Sequence, residues 1–185
     1  MRATSVMRFV IFGAVGFGIG GAITRPLSML LPGMVALPLT VLIAGAVGGA
    51  SLGLALKDWR RVVSLTVLGA LGLTVGLMAG LILGPLVSYS EVPITVIAGA
   101  VVGVLLGAAF RDWRTILALT VAGAVGFSVG LLAGDFLRFY LPMLRGVGEV
   151  GSIIVAGLVG GASLGAALAY LENRKQAEKR RPRVR

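Results

Sequence analysis

The chain has 185 residues, 57% hydrophobic and only 13% charged, with a mean hydropathy of +1.01 and a net charge of +10. Soluble domains carry about 45–50% apolar and about 25% charged residues, so a water-soluble domain is excluded and a polytopic membrane protein is indicated. His and Cys are absent, which removes His-based acid–base catalysis, thiol nucleophiles, disulfides, haem, iron–sulfur clusters and ordinary zinc sites.

A charged side chain at the bilayer centre costs at least about 2.5–3.5 kcal/mol, so the charges mark the ends of the spans. The first predicted span covers 6–24, with Arg8 snorkelling at one end and Arg25 beyond the other. Arg2, Arg8, the apolar run and Gly20-Gly21-Ala22 mimic a signal peptide, but the repeat described below needs this segment as a helix. The stretch 26–37 is rich in Leu and Met, and an interfacial position is expected for it. The second span, 38–56, places Pro38 in its first turn, where a missing N–H is harmless. It ends at Lys57-Asp58-Trp59-Arg60. The third covers 62–84. The fourth covers 92–110, opened by Glu91 and Pro93 and closed by Arg111-Asp112-Trp113-Arg114. The fifth covers 115–134 and is followed by a second interfacial stretch, 135–145, in which Asp135 and Arg138 are spaced for a local ion pair. The sixth covers 150–171. Each is near the ~20 residues a spanning helix needs, and none shows the period-2 alternation of a barrel strand. Residues 1–171 thus form one transmembrane domain, and 172–185 a basic tail.

Orientation follows from Lys and Arg. With the N-terminus inside, 14 fall on the inner side and 3, Arg25, Arg138 and Arg145, on the outer. The positive-inside rule then places both termini in the cytoplasm.

The Lys57–Arg60 turn recurs 54 residues later as Arg111–Arg114. Gly45, Gly49 and Gly53 before the first turn match Gly99, Gly103 and Gly107 before the second. Gly72, Gly76 and Gly80 match Gly126, Gly130 and Gly134 behind them. In the sixth span, Gly157, Gly161 and Gly165 repeat the first set, and Gly-Gly-Ala-Ser-Leu-Gly occurs at both 48–53 and 160–165. In the first span, Gly13, Gly16 and Gly20 have the spacing of Gly69, Gly72 and Gly76. The expected fold is therefore all-α: a six-transmembrane-helix bundle of three glycine-zipper hairpins about a pseudo-threefold axis, the third hairpin split by the chain termini. Small residues four apart let helix backbones approach closely. Three-hairpin membrane proteins of this outline resemble mitochondrial carriers, but the carriers' Pro-x-Asp/Glu-x-x-Lys/Arg motif and internal charges are absent here. Glycine-zipper repeats are common in small bacterial membrane proteins, which points to a bacterial plasma membrane.

Chemistry-bearing residues are few. Asp58 and Asp112 are suited to cap the helices that follow, and Trp59 and Trp113 to anchor at headgroup level. Gly16, Gly18 and Gly21 fit G-x-G-x-x-G, but without a strand before and a helix after them they carry no nucleotide site. Thr66, Thr74, Thr120 and Ser128 occupy corresponding repeat positions and are the candidate lining of a central pathway; otherwise Ser and Thr bond to their own helix. Arg174, Lys175, Lys179, Arg180 and Arg181 are expected to rest on anionic lipid or a partner's acidic surface, and the tail has no aromatic residues for stacking on nucleic acid. No catalytic residues, cofactor or metal set can be named. Two readings remain: a structural or accessory subunit of a membrane complex or homo-oligomer, and a small channel or facilitator for an ion or uncharged solute along the axis.

Overall fold

In a computed structural model of the protein, residues 3–30, 33–87, 90–140 and 148–180 are described. They form six α-helices, and no strand occurs among them: α1 (Ala3–Leu30), α2 (Gly33–Leu56), α3 (Trp59–Val87), α4 (Val92–Ala108), α5 (Trp113–Tyr140) and α6 (Gly148–Arg180). Five contain stretches long and apolar enough to cross a membrane: Val6–Leu30, Val35–Leu56, Trp59–Val87, Trp113–Tyr140 and Gly151–Lys175. The sixth, α4, has 17 residues, about 26 Å of helix at 1.5 Å per residue.

Helix ends depart from the hydropathy boundaries in a consistent way. α1 continues through Pro26 to Leu30, α3 through Pro85 to Val87, and α5 through Asp135 to Tyr140. Most of 26–37 and the first part of 135–145 are therefore parts of α1, α2 and α5 rather than separate segments; 31–32 and 141–145 lie outside the described residues. Charge sets the limits of the apolar runs, whereas backbone hydrogen bonding decides where a helix ends, and here three helices continue past the charge or proline that bounds the run. Pro38 is likewise not in a first turn, because α2 begins at Gly33. α4 instead stops early: Phe110 N–H donates to Gly107 O at 3.0 Å and Arg111 N–H to Ala108 O at 3.1 Å, tightening the chain into the turn. Past Leu171, α6 runs on to Arg180, so the first part of the tail is helical.

Each helix packs on its chain neighbours, and α6 packs on α1, which closes a ring. Glycine sets the spacing at the closest crossings. A side-chain carbon at Gly13 would overlap the Gly161 carbonyl oxygen between α1 and α6; Gly45 meets Gly69 O between α2 and α3, and Gly99 meets Gly123 O between α4 and α5. Gly49, Gly103 and Gly165 face the carbonyl oxygens of Leu65, Leu119 and Phe9 at the same three interfaces. At the alternate interfaces, Gly20 would meet Ala44 O at 2.7 Å, Gly76 Ala98 O at 2.7 Å, and Gly130 the Ala156 Cα at 2.7 Å. Gly53, Gly72, Gly80, Gly107, Gly126, Gly134 and Gly157 also face a neighbouring helix. Such approach replaces side-chain interlock by backbone van der Waals and Cα–H···O contacts, the interactions available where lipid removes any hydrophobic drive between helices.

The buried core lies toward the end of the ring that carries the two turns. Leu52, Leu65, Leu106, Leu119 and Leu164 have no exposed surface, and Phe9, Phe17, Val102 and Phe127 pack with them. Every helix contributes, so the middle of the ring is filled with hydrocarbon at this level.

Candidate functional site

Toward the opposite end the centre opens. A chamber of about 1000 Å³ is lined by residues of all six helices. Its floor holds Phe17, Leu73 and Phe127, with the two phenylalanine rings edge to face at 5.5 Å. Ala44, Ala98 and Ala156, one from each even-numbered helix, line its wall; their methyl groups are too small to fill it. From Phe17 to Ser28 along α1 the lining spans about 16 Å, half of a ~30 Å hydrocarbon core.

The polar lining is sparse. Thr24 donates to Gly21 O at 2.6 Å, Thr40 to Leu37 O at 2.9 Å, and Thr95 to Val92 O at 2.9 Å. With their protons committed to their own helices, these hydroxyls retain only acceptor capacity toward a ligand. Among the described residues, Arg138 is the single charged residue of the lining.

Beside the chamber lies a second pocket of about 710 Å³, bordered by Glu91, Asp135, Arg138 and Ser152. Leu131, Arg138 and Ile153 line both spaces. The expected Asp135–Arg138 ion pair is not formed. Instead the Ser152 hydroxyl donates to Asp135 Oδ1 at 2.7 Å. The helix turns Arg138 toward the chamber mouth, while α6 brings a neutral donor to the carboxylate.

The candidate pathway residues do not meet in this chamber. Thr66, Thr74, Thr120 and Ser128 donate to the carbonyls four residues back, at 2.7, 2.9, 2.7 and 2.7 Å, and none lines the chamber. Sequence reasoning passed over Thr24, Thr40 and the open role of Arg138. The signal that could have found the chamber is the small residues Ala44, Ala98 and Ala156, one on each even-numbered helix.

The other end of the ring is basic. Lys57 and Arg111 adopt the left-handed conformation, φ 57° and 50°, in the turns that follow α2 and α4. Asp58 Oδ1 accepts the Arg60 N–H at 3.1 Å and Asp112 Oδ1 the Arg114 N–H at 3.2 Å, each capping the next helix. Trp59 and Trp113 are largely exposed there. The end of α6 is pinned across these turns: Arg61 lies 3.9 Å from Glu172 and Lys175 3.7 Å from Asp112, with Phe110 beneath both cations. Arg8 reaches the Ala55 carbonyl from α1. Arg174 is exposed. Arg181 and the side chains of Lys179 and Arg180 lie outside the described residues.

The Thr115 hydroxyl, donating at 2.9 Å, is the main cause that holds the Asp112 carboxyl below its ordinary 3.8; the Arg114 N–H and Lys175 add to it. A carboxylate shifted down stabilises the fold above the ordinary carboxylate range, and that contribution is lost as pH falls through its lowered pKa. Thermal stability is thus expected to drop below about pH 4. Asp112→Asn should lower the melting temperature slightly at pH 7 and flatten part of the acid-side loss; a scan from pH 7 to pH 3 checks both.

Fold and site together define an all-helical protein with five helices long and apolar enough to cross a membrane, arranged around an apolar chamber. Compared with protein-family models, curated proteins and solved structures, the chain finds no match.

Proposed function

We propose that the chain is a non-catalytic membrane protein that serves as a structural or accessory subunit of a membrane complex. In this reading it is three glycine-zipper hairpins about a pseudo-threefold axis, with the α6–α1 pair as the hairpin split by the termini. The correspondence of three close crossings, Gly45 with Gly69, Gly99 with Gly123 and Gly161 with Gly13, supports that arrangement. The basic end, with Arg8, Lys57, Arg61, Arg111 and Lys175, faces the cytoplasm by the positive-inside rule. Both termini and the tail are on that side, against anionic lipid or a partner.

The function rests on the filled axis. Below the chamber floor, Leu52, Leu106 and Leu164 are wholly buried and the Thr66 and Thr120 hydroxyls bond to their own helices. A conducting line of hydroxyls and carbonyls is what a channel needs, and hydrocarbon occupies its place. Outward, Val63, Val67, Leu71 and Val75 on α3 and Leu117, Val121, Val125 and Val129 on α5 are exposed apolar stripes, suited to lipid or to neighbouring membrane helices. The chamber favours the second reading, a facilitator that opens at one end at a time.

Native mass spectrometry of the tagged protein, extracted mildly from its host, tests the first reading. A stoichiometric partner is the expected result. A lone chain or homo-oligomer, together with solute flux above the protein-free rate in liposomes, would replace it with the facilitator.

A further inference from the structure

The chamber and the charged pocket beside it differ in chemistry yet share a wall, and that juxtaposition identifies a ligand class. We infer that they hold one zwitterionic aminophospholipid, with acyl chain in the chamber and headgroup between Arg138, Asp135 and Glu91.

The chamber is at the upper end of the ~300–1,000 Å³ range of ligand cavities. Water gains little there, because a buried water needs two to four polar partners and the described lining is mostly apolar side chains. Hydrocarbon has no such need, and acyl chains are at hand on every side of a membrane protein. The chamber runs from the middle of the helices to their ends at Ser28, Met29 and Arg138, so an occupant with one end apolar and one end polar matches its gradient.

The rim decides the headgroup. Arg138 has no ion pair among the described residues, and a guanidinium offers a phosphate two parallel N–H donors. Asp135 and Glu91 border the same pocket. Ser152 fixes Asp135 through Oδ1, and Glu91 has no side-chain capping bond to α4. Among the described residues, one cation and two carboxylates at a single mouth suit a phosphate joined to a primary ammonium. A purely anionic headgroup would satisfy Arg138 but face both carboxylates, and a sugar headgroup would leave all three charges unmatched. The inference does not depend on whether the chain works alone or in a complex.

The test uses the full-length protein, delipidated in dodecyl maltoside, titrated with palmitoyl lysophosphatidylethanolamine or palmitoyl lysophosphatidylglycerol and read by native mass spectrometry. One saturable equivalent is expected, roughly tenfold tighter for the ethanolamine lipid. Arg138→Gln, an exposed position, should weaken both lipids roughly tenfold. Glu91→Gln combined with Asp135→Asn should abolish the preference while leaving the phosphoglycerol lipid bound at least as well. Leu77→Trp, which fills the chamber, should weaken both. Absence of a saturable adduct overturns the proposal. So does equal affinity for the two lipids in the unaltered protein, or binding indifferent to Arg138→Gln.

Discussion

Gly161→Ala is expected to cost about 3 kcal/mol or more, a fall in melting temperature of about 6–12 °C for a chain of this size. The added carbon has nowhere to go: it overlaps the carbonyl oxygen of Gly13 on α1, and the Phe17 Cβ lies 3.0 Å away. A backbone oxygen does not rotate aside as a side chain does, so α1 and α6 must separate. That interface joins the first helix to the last and closes the ring, so the loss propagates to Gly157 and Gly165, which face Phe17 O and Phe9 O along the same crossing. Gly18→Ala, on α1 across the same interface, is the control. Its carbon would meet only the Leu158 side chain, with Cδ2 at 2.6 Å, and a rotamer change limits the cost to about 1 kcal/mol. Tryptophan-fluorescence melting in detergent reads both. Equal small effects would mean that α1 and α6 do not approach through glycine.

The helices were legible because the chain offers hydrocarbon-length apolar runs and almost no alternative; a backbone in lipid must satisfy its own hydrogen bonds. The number of helices followed from the charges. Their ends did not, since Pro26, Pro85 and Asp135 lie inside helices that continue past the apolar runs. Hydropathy does not report where backbone hydrogen bonding stops. The candidate site was the less legible part. Attention to hydroxyls at equivalent positions singled out Thr74 and Ser128, whose protons are held by Ala70 O and Ala124 O. The chamber comes instead from what is missing: alanines at 44, 98 and 156 leave space at one level, while leucines at 52, 106 and 164 fill another. Space is a property of six helices together, and a periodicity within one helix does not report it. Arg138 was read with its sequence neighbour Asp135, and the contact that separates them comes from Ser152, 17 residues from Asp135.

The floor of the chamber offers the sharpest test of the threefold reading. A side-chain carbon at Gly48 would meet the Phe17 ring at 2.6 Å, and one at Gly160 would meet the Phe127 ring at 2.7 Å. In the threefold reading, the α3–α4 contact carries Leu73 where α1 and α5 have phenylalanine, and Val102 where α2 and α6 have glycine. Volume has moved from one side of the contact to the other, as close packing demands. Gly48→Val alone should therefore cost about 3 kcal/mol, because the buried Phe17 ring is packed edge to face on Phe127. Phe17→Leu alone should cost about 1–2 kcal/mol for the lost ring contact and the enlarged chamber. Together they rebuild the Leu73–Val102 combination at a second position, and the pair should be more stable than Gly48→Val alone, with a favourable coupling of about 2–3 kcal/mol. Melting temperatures of the two singles and the double complete the cycle. If the two costs simply add, positions 17 and 73 are not equivalent in their packing, and the resemblance among the three hairpins stops at their glycines.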